Sequence, residues 1–238
     1  MISIVIPTYN NLSYLKLAIS SIKKNSFHNN EIILHINEGN DGTLTYAREN
    51  NIKFSHSKVN NGICIGCNKA ALLSKYDLIL YGHDDMYFCP EWDKVLIDEV
   101  KKLNTNLFYL SGTMINGDTK LNGHLNFYAG ETIDTFNETK LLQNYKELNG
   151  YDFQGSTWAP HLIHKEIWEK VGGFSEEYSP GTGSDPDLNM KLWKLGVRIF
   201  KGLNKSRVYL FGSVVTRQKE KKFFTTTDTG SKGSKIFL

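Results

Sequence analysis

Short runs rich in β-branched residues alternate with helix-patterned segments through the first 110 residues of this chain. A strand is expected over residues 2–6, closed by Pro7. Leu15, Ala18, Ile19 and Ile22 then recur at helical spacing, with Asn10, Asn11 or Ser13 available as the cap. Further strands are expected at 31–36, 52–55, 77–81 and 107–110, with helices at 43–49, 63–73 and 92–100 between them. This repetition predicts an α/β fold, a Rossmann-like three-layer α/β/α arrangement on a mainly parallel sheet. Sheets of that kind bind ligands beyond the carboxyl ends of their strands.

From residue 112 to 150 the pattern weakens into mixed glycines, polar residues and aromatics, expected to lie irregularly over the site. Order returns with helices at 165–171 and 185–195, stopped by Gly172-Gly173 and Gly196, and with strands at 197–200 and 208–215. No repeat and no Ser/Pro linker divides the chain. One domain over 1–218 is expected, with a nucleotide-side half at about 1–110, an acceptor-side half at about 111–218 and a polar tail at 219–238.

A charge of +3, from 28 basic and 25 acidic residues, is spread along the chain without the basic stripe that nucleic-acid binding needs. The opening MISIVIPTYNN turns polar too early for a signal peptide or a membrane span, so a cytoplasmic location is expected. The basic tail, beginning Lys219-Glu220-Lys221-Lys222, suits a solvated terminus or peripheral contact with an anionic membrane. Cys64, Cys67 and Cys89 are expected to be reduced thiols, since the one CxxC has no second pair to complete a zinc site.

Three acidic features fall at element ends: Glu38 before a glycine turn, His83-Asp84-Asp85 after a strand, and Asp185 with Asp187 at a helix start. Each also has a structural explanation. Asp85 is open to capping the helix that begins near Glu91, Asp185 to answering its own helix dipole, and Glu38 to stabilising its turn.

Taken in order, these stretches resemble the family 2 glycosyltransferases. The opening strand is Ile4-Val5-Ile6-Pro7-Thr8-Tyr9-Asn10. Asn37-Glu38-Gly39-Asn40-Asp41-Gly42-Thr43 is similar to the family's second-strand acidic turn, and Asn61-Gly62 with Asn68 and Ala70 to its next motif. His83-Asp84-Asp85, followed by Pro90 and Trp92, falls where the DXD motif belongs. Gly172-Gly173-Phe174 and Asp185-Pro186-Asp187-Leu188 resemble the acceptor half, and the likeness runs from residue 2 to about 217.

The resemblance implies a GT-A fold and an inverting transfer from a nucleoside diphosphate sugar, UDP-sugar favoured, to a glycan or lipid-linked glycan. Pro7, Thr8, Tyr9, Glu38, Asn61, Asn68, His83 and Asp84 then belong to the nucleotide-sugar site. Glu38 suits uracil, ribose or guanine alike. Asp85 becomes the main ligand of a divalent metal, Mn or Mg, with His83 in the place of the first aspartate; an imidazole there favours manganese. Asp185 becomes the general base with Asp187 as alternate, and Trp158 and His161 fall at acceptor-contact spacing; Trp158 is equally open to a core role.

The chain departs from the family in three places. His83 replaces an aspartate, Ser184 stands where glutamate is common, and Leu210 stands where relatives often carry a histidine before Phe-Gly-Ser. These leave open a second reading, a sugar-nucleotide or glycan binding module whose chemistry has decayed. A nucleotidyltransferase is disfavoured because the first turn, PTYNN, lacks a glycine-rich phosphate loop.

Overall fold

The computed structural model describes residues 1–117, 123–155 and 158–211. The expected tail at 219–238, together with Gly212 and Ser213, lies outside them.

The N-terminal region folds as β1 (Ser3–Tyr9), α1 (Leu12–Asn25), β2 (Glu31–Asn37), α2 (Thr43–Glu49), β3 (Lys53–Ser57), α3 (Gly62–Ala71) and β4 (Leu78–Tyr81). A short β5 (Met86–Phe88), α4 (Trp92–Lys102) and β6 (Phe108–Asn116) follow. The remainder comprises β7 (Leu125–Asn126), α5 (Glu138–Asn144), β8 (Phe153–Gln154), β9 (His161–His164), α6 (Lys165–Val171), α7 (Ser184–Leu195) and β10 (Ile199–Leu210). All ten strands share one sheet, in the order β3-β2-β1-β4-β9-β6-β10-β5, with β7 on β6 and β8 on β10.

β3, β2, β1 and β4 run parallel, as do β6 and β10, which fits the buried, β-branched reading of these strands. β9 breaks the pattern. It lies antiparallel between β4 and β6 and so joins the two halves at the centre of the sheet. The 110/111 boundary therefore falls inside β6 rather than at a junction.

Three expectations are corrected in detail. β1 is not closed by Pro7 but continues to Tyr9, with Pro7 opposite His35 of β2. β4 pairs with β1 only as far as Val5, so one edge of β1 is open where proline has no N–H to give. The separate strands expected at 197–200 and 208–215 belong, over the described residues, to one strand, β10 (Ile199–Leu210), whose register against β6 shifts between Leu203 and Arg207; positions 212–215 lie outside the described residues. Positions 112–116, expected to be irregular, complete β6 as an uninterrupted strand buried through Ile115.

Arg207 secures that irregularity. Its buried guanidinium donates to the carbonyls of Asn204, Tyr145 and Leu148 and to Asn204 Oδ1, so the bulge and the loop after α5 are held by one side chain. The main apolar core runs from Ile4, Ile6 and Leu34 through Leu80 and Phe108 to Leu188 and Val208. A second cluster gathers Tyr87, Ile115, Tyr209 and Phe211 under the loop that carries α5. The three cysteines are buried free thiols. No helix among the described residues is long and apolar enough to cross a membrane.

Candidate active site

The carboxyl ends of β1, β2 and β4 lie side by side because Tyr9 registers with Asn37 and Val5 with Tyr81. Thr8, Glu38 and the turn His83-Asp84-Asp85 therefore meet at one edge of the sheet. Thr8 is buried and its Oγ1 donates to Asp84 Oδ2 across 2.6 Å. Glu38, at φ 58°, accepts from Asn10 Nδ2 at 3.2 Å and Asn40 Nδ2 at 3.3 Å, so its carboxylate is oriented at the strand edge.

Asp85 does not cap a helix: α4 starts at Trp92, and Glu91 is its N-cap residue. Asp85 is buried, with Oδ1 3.8 Å from His83 Nδ1, and its carbonyl accepts from Phe211 N at 3.2 Å. Loss of solvation pushes the Asp84 and Asp85 carboxyls up, and at Asp84 the neighbouring Asp85 charge adds to the effect. Two crowded carboxylates raised in this way are poised to be relieved by a cation. Leu210 pairs with Met86 beside this turn and offers no donor atom.

The N-terminus of α7 brings in the second group. Its approach is set by a close contact: Ile63 N donates to Pro180 O at 2.9 Å, and Gly62 lies against Pro180. A Cβ at Gly62 would stand 2.6 Å from Pro180 Cα, and φ is +79°, so glycine is required there. Asp185 Oδ1 then lies 3.9 Å from His161 Nε2, with 41% of the Asp185 side chain exposed and His161 at 1%. The surrounding protein mass raises the Asp185 carboxyl to about 7 by desolvation. Tyr81 lies between the two acidic groups: its ring is 5.0 Å from His161, the neighbour of Asp185, and 5.2 Å from His83, the neighbour of Asp85.

Other expected site residues make contacts within the fold. Asp187 accepts from Ser175 Oγ at 2.6 Å and so belongs to the turn after Phe174. The Asn68 amide exchanges two hydrogen bonds with the Phe174 backbone, at 2.8 and 2.9 Å, and the Asn61 amide donates to Ser57 Oγ at 3.0 Å. Both act as clamps between elements. Pro7 is buried under α3 near Gly66, which leaves Tyr9 as the partly exposed member of the first turn. Trp158 packs partly into the core and stacks near His124, at 4.8 Å, and Phe153, at 5.7 Å.

Thr8 with Asp84, and the trio Tyr81, Tyr109 and His161, are the contacts that sequence reasoning missed. The polar Thr8 at the end of an apolar strand was the available signal for the first; nothing local marks the second.

The family model for glycosyl transferase family 2 matches residues 3–168. The chain belongs to that family. A curated family-type relative, the uncharacterized glycosyltransferase RP339 of Rickettsia prowazekii (strain Madrid E), is 35% identical over 217 residues, 88% of this chain and 64% of the relative. The chain spans less than two thirds of the length of the curated relatives it matches. The crystal structure of S. aureus TarS 1-349 superimposes with a TM-score of 0.66 at 18% identity, over 88% of this chain and 60% of that one. GalNAc-T7 with UDP, GalNAc and Mn2+ gives 0.66 at 16% identity, over 88% and 43%. This glycosyltransferase-family chain therefore has the GT-A type of α/β fold, with its acidic residues at the strand edge described above.

Proposed function

We propose that this chain transfers a sugar from a nucleoside diphosphate sugar, with UDP as the favoured nucleotide, to a hydroxyl of a glycan or lipid-linked glycan with inversion. The observation that carries this reading is that the Tyr81 ring lies between His83 at 5.2 Å and His161 at 5.0 Å, whose nitrogens stand 3.8 Å from Asp85 and 3.9 Å from Asp185, so that two separate acidic groups flank one ring. A donor-side carboxylate and a second, partly exposed carboxylate raised to about 7 suit the opposite ends of such a transfer. The fold relatives support the donor: TarS was solved with UDP and with UDP-GlcNAc, and GalNAc-T7 with UDP, GalNAc and Mn2+.

Asp185 takes the proton of the attacking hydroxyl at its exposed carboxylate. Asp187, spent on Ser175, is left as the weaker candidate. Asp84, steadied by Thr8, faces the ribose or the sugar, and Glu38 with Tyr9 faces the nucleoside. Trp158 offers a ring edge to the acceptor, whereas His161 is too buried to touch it.

Among the described residues no cluster of three or more His, Cys, Asp or Glu side chains forms a metal cage. The smaller donor set still fits an ion shared with substrate. His83 Nδ1 and Asp85 Oδ1, 3.8 Å apart, stand closer than twice a metal–ligand bond of about 2.1 Å, and magnesium-type sites use one or two protein ligands plus phosphates. His83 and Asp85 would hold a divalent ion, which supplies positive charge to the departing diphosphate.

Asp85→Ala and Asp185→Ala, measured separately for release of UDP from UDP-sugars and for sugar transfer, test the reading. Undiminished turnover in both would sink it. Leu210, without a donor atom beside Asp85, favours a second reading as a binding module. Nucleotide binding with neither transfer nor donor hydrolysis under Mn2+, Mg2+ or Co2+ would decide for that one.

A further inference from the structure

His161 opens β9 at the middle of the sheet, paired with Tyr81 on one side and Ser111 on the other. Its ring is 1% exposed, and neither ring nitrogen has a hydrogen-bond partner among the described residues. Buried polar atoms are nearly always satisfied, so an imidazole left open at the floor of a site calls for a reason. The nearest charged group is the Asp185 carboxylate, whose Oδ1 is 3.9 Å from Nε2.

We propose that His161 is a positioning residue for Asp185: a neutral imidazole whose Nε2–H is directed at Oδ1, so that Oδ2 is presented to the acceptor hydroxyl. The inference rests on the reading of Asp185 as the base. A closure of about 1 Å, or one intervening water, converts the separation into a hydrogen bond of ordinary length. His161 cannot swing out to meet the substrate itself. Its ring is held between Tyr81 at 5.0 Å, Tyr109 at 4.8 Å and Phe174 at 5.9 Å.

The surroundings favour the neutral ring. From α3 the titratable neighbours of this pocket are Cys64 and Cys67, from β4 Tyr81 with His83 just beyond, from β6 Tyr109 and from α7 Asp185. The thiols and phenols are all pushed up by burial and carry no charge near neutrality. Burial lowers His161 to about 3, so it has one N–H, and the tautomer decides where that proton points. Asp185 draws it to Nε2. The rings of Tyr81 and Tyr109 flank the imidazole, and their hydroxyls, like Nδ1, are buried without a hydrogen-bond partner among the described residues. The role differs from acceptor contact: His161 sets which carboxylate oxygen faces the cleft and never meets the sugar.

The test reads the tautomer directly. In the full chain labelled with 15N-histidine, two-bond 15N–1H correlations distinguish Nε2–H from Nδ1–H for each of the 7 histidines. His161 is assigned by the signal missing from H161Q, or by backbone-directed assignment if that variant does not fold. The expected result is an Nε2–H tautomer whose resonances move in Asp185→Asn. An Nδ1–H tautomer, an imidazolium, or signals unmoved by Asp185→Asn overturns the proposal.

A kinetic arm uses UDP release from the UDP-sugar that supports turnover. H161F is expected to lower kcat by about 10- to 100-fold with the UDP Kd within twofold of the parent, and H161Q, which keeps an N–H donor, to recover part of the loss. Unchanged kcat in H161F counts against it. Full turnover in Asp185→Asn would instead remove the base reading, a result obtained independently of the His161 tautomer.

Discussion

Thr8 Oγ1 donates to Asp84 Oδ2 across 2.6 Å, which ties the carboxyl end of β1 to the acidic turn after β4. The two residues are 76 positions apart, and their contact gives the turn a fixed orientation toward the proposed nucleotide site. Thr8→Val keeps the shape and removes the donor. Losing a hydrogen bond to a charged group costs about 1.5–3 kcal/mol of stability, which the denaturant midpoint should report, and UDP affinity measured by calorimetry should weaken as the turn loses its fixed orientation.

Asp185→Asn should reduce turnover by about 100-fold or more, the usual weight of a general base, while UDP affinity stays within about twofold. In the parent protein the base works only as carboxylate. With the carboxyl raised to about 7, kcat/KM should climb as pH rises through about 7 rather than near the ordinary carboxylate value. A flat profile between pH 5 and 8, with chemistry rate-limiting, contradicts the assignment.

Asp85 and His83 should bind a divalent ion together with UDP. Thermal unfolding with UDP and Mn2+ is expected to show a larger rise in Tm than with either alone, because a ligand that binds only the folded state stabilises it by mass action. Asp85→Asn should remove the Mn2+-dependent part of the shift. If it does not, the ion sits elsewhere or is not used.

His35 links the fold to acid. It is fully buried on β2, with Nδ1 2.8 Å from Ser55 Oγ, and desolvation followed by the nearby Lys69 charge lowers it to about 4 from 6.5. A histidine depressed in the folded state contributes stability that is present above its unfolded value and lost as pH falls. Between pH 6.5 and 4 the loss should approach about 3 kcal/mol. His35→Gln should flatten that part of the urea-midpoint profile; an unaltered slope would exclude His35 as the cause.

Arg207→Met should destabilise the protein by about 2–4 kcal/mol, because three backbone carbonyls and Asn204 Oδ1 lose their buried donor. The denaturant midpoint reports it directly. A change below about 0.5 kcal/mol would mean that water replaces the guanidinium at the bulge.

Much of this molecule was legible locally. α2 and α6 have the expected bounds because Gly42 and Gly172, both at positive φ, punctuate helical patterns that the sequence displays plainly. Glu38, the turn at 83–85 and Asp185 could be picked out because each falls at the end of an element, in stretches that resemble family motifs in order. β9 could not, since a four-residue strand holding two histidines carries too little period-2 signal. β10 was split in two because Asn204, Lys205 and Ser206 look like a loop, and only the Arg207 hydrogen bonds show how a strand passes through them. The contact of Asn68 was hidden for a similar reason: its partner Phe174 is 106 residues away.

By itself, then, the sequence determined the strand–helix alternation and the acidic residues at its ends, because side-chain period and turn chemistry act between neighbours. The tertiary structure alone decided which of those residues face one another. Closing the sheet inserts antiparallel β9 between β4 and β6, and this long-range pairing, driven by burial of apolar surface rather than by any local preference, sets His161 beneath Asp185 and beside Tyr81.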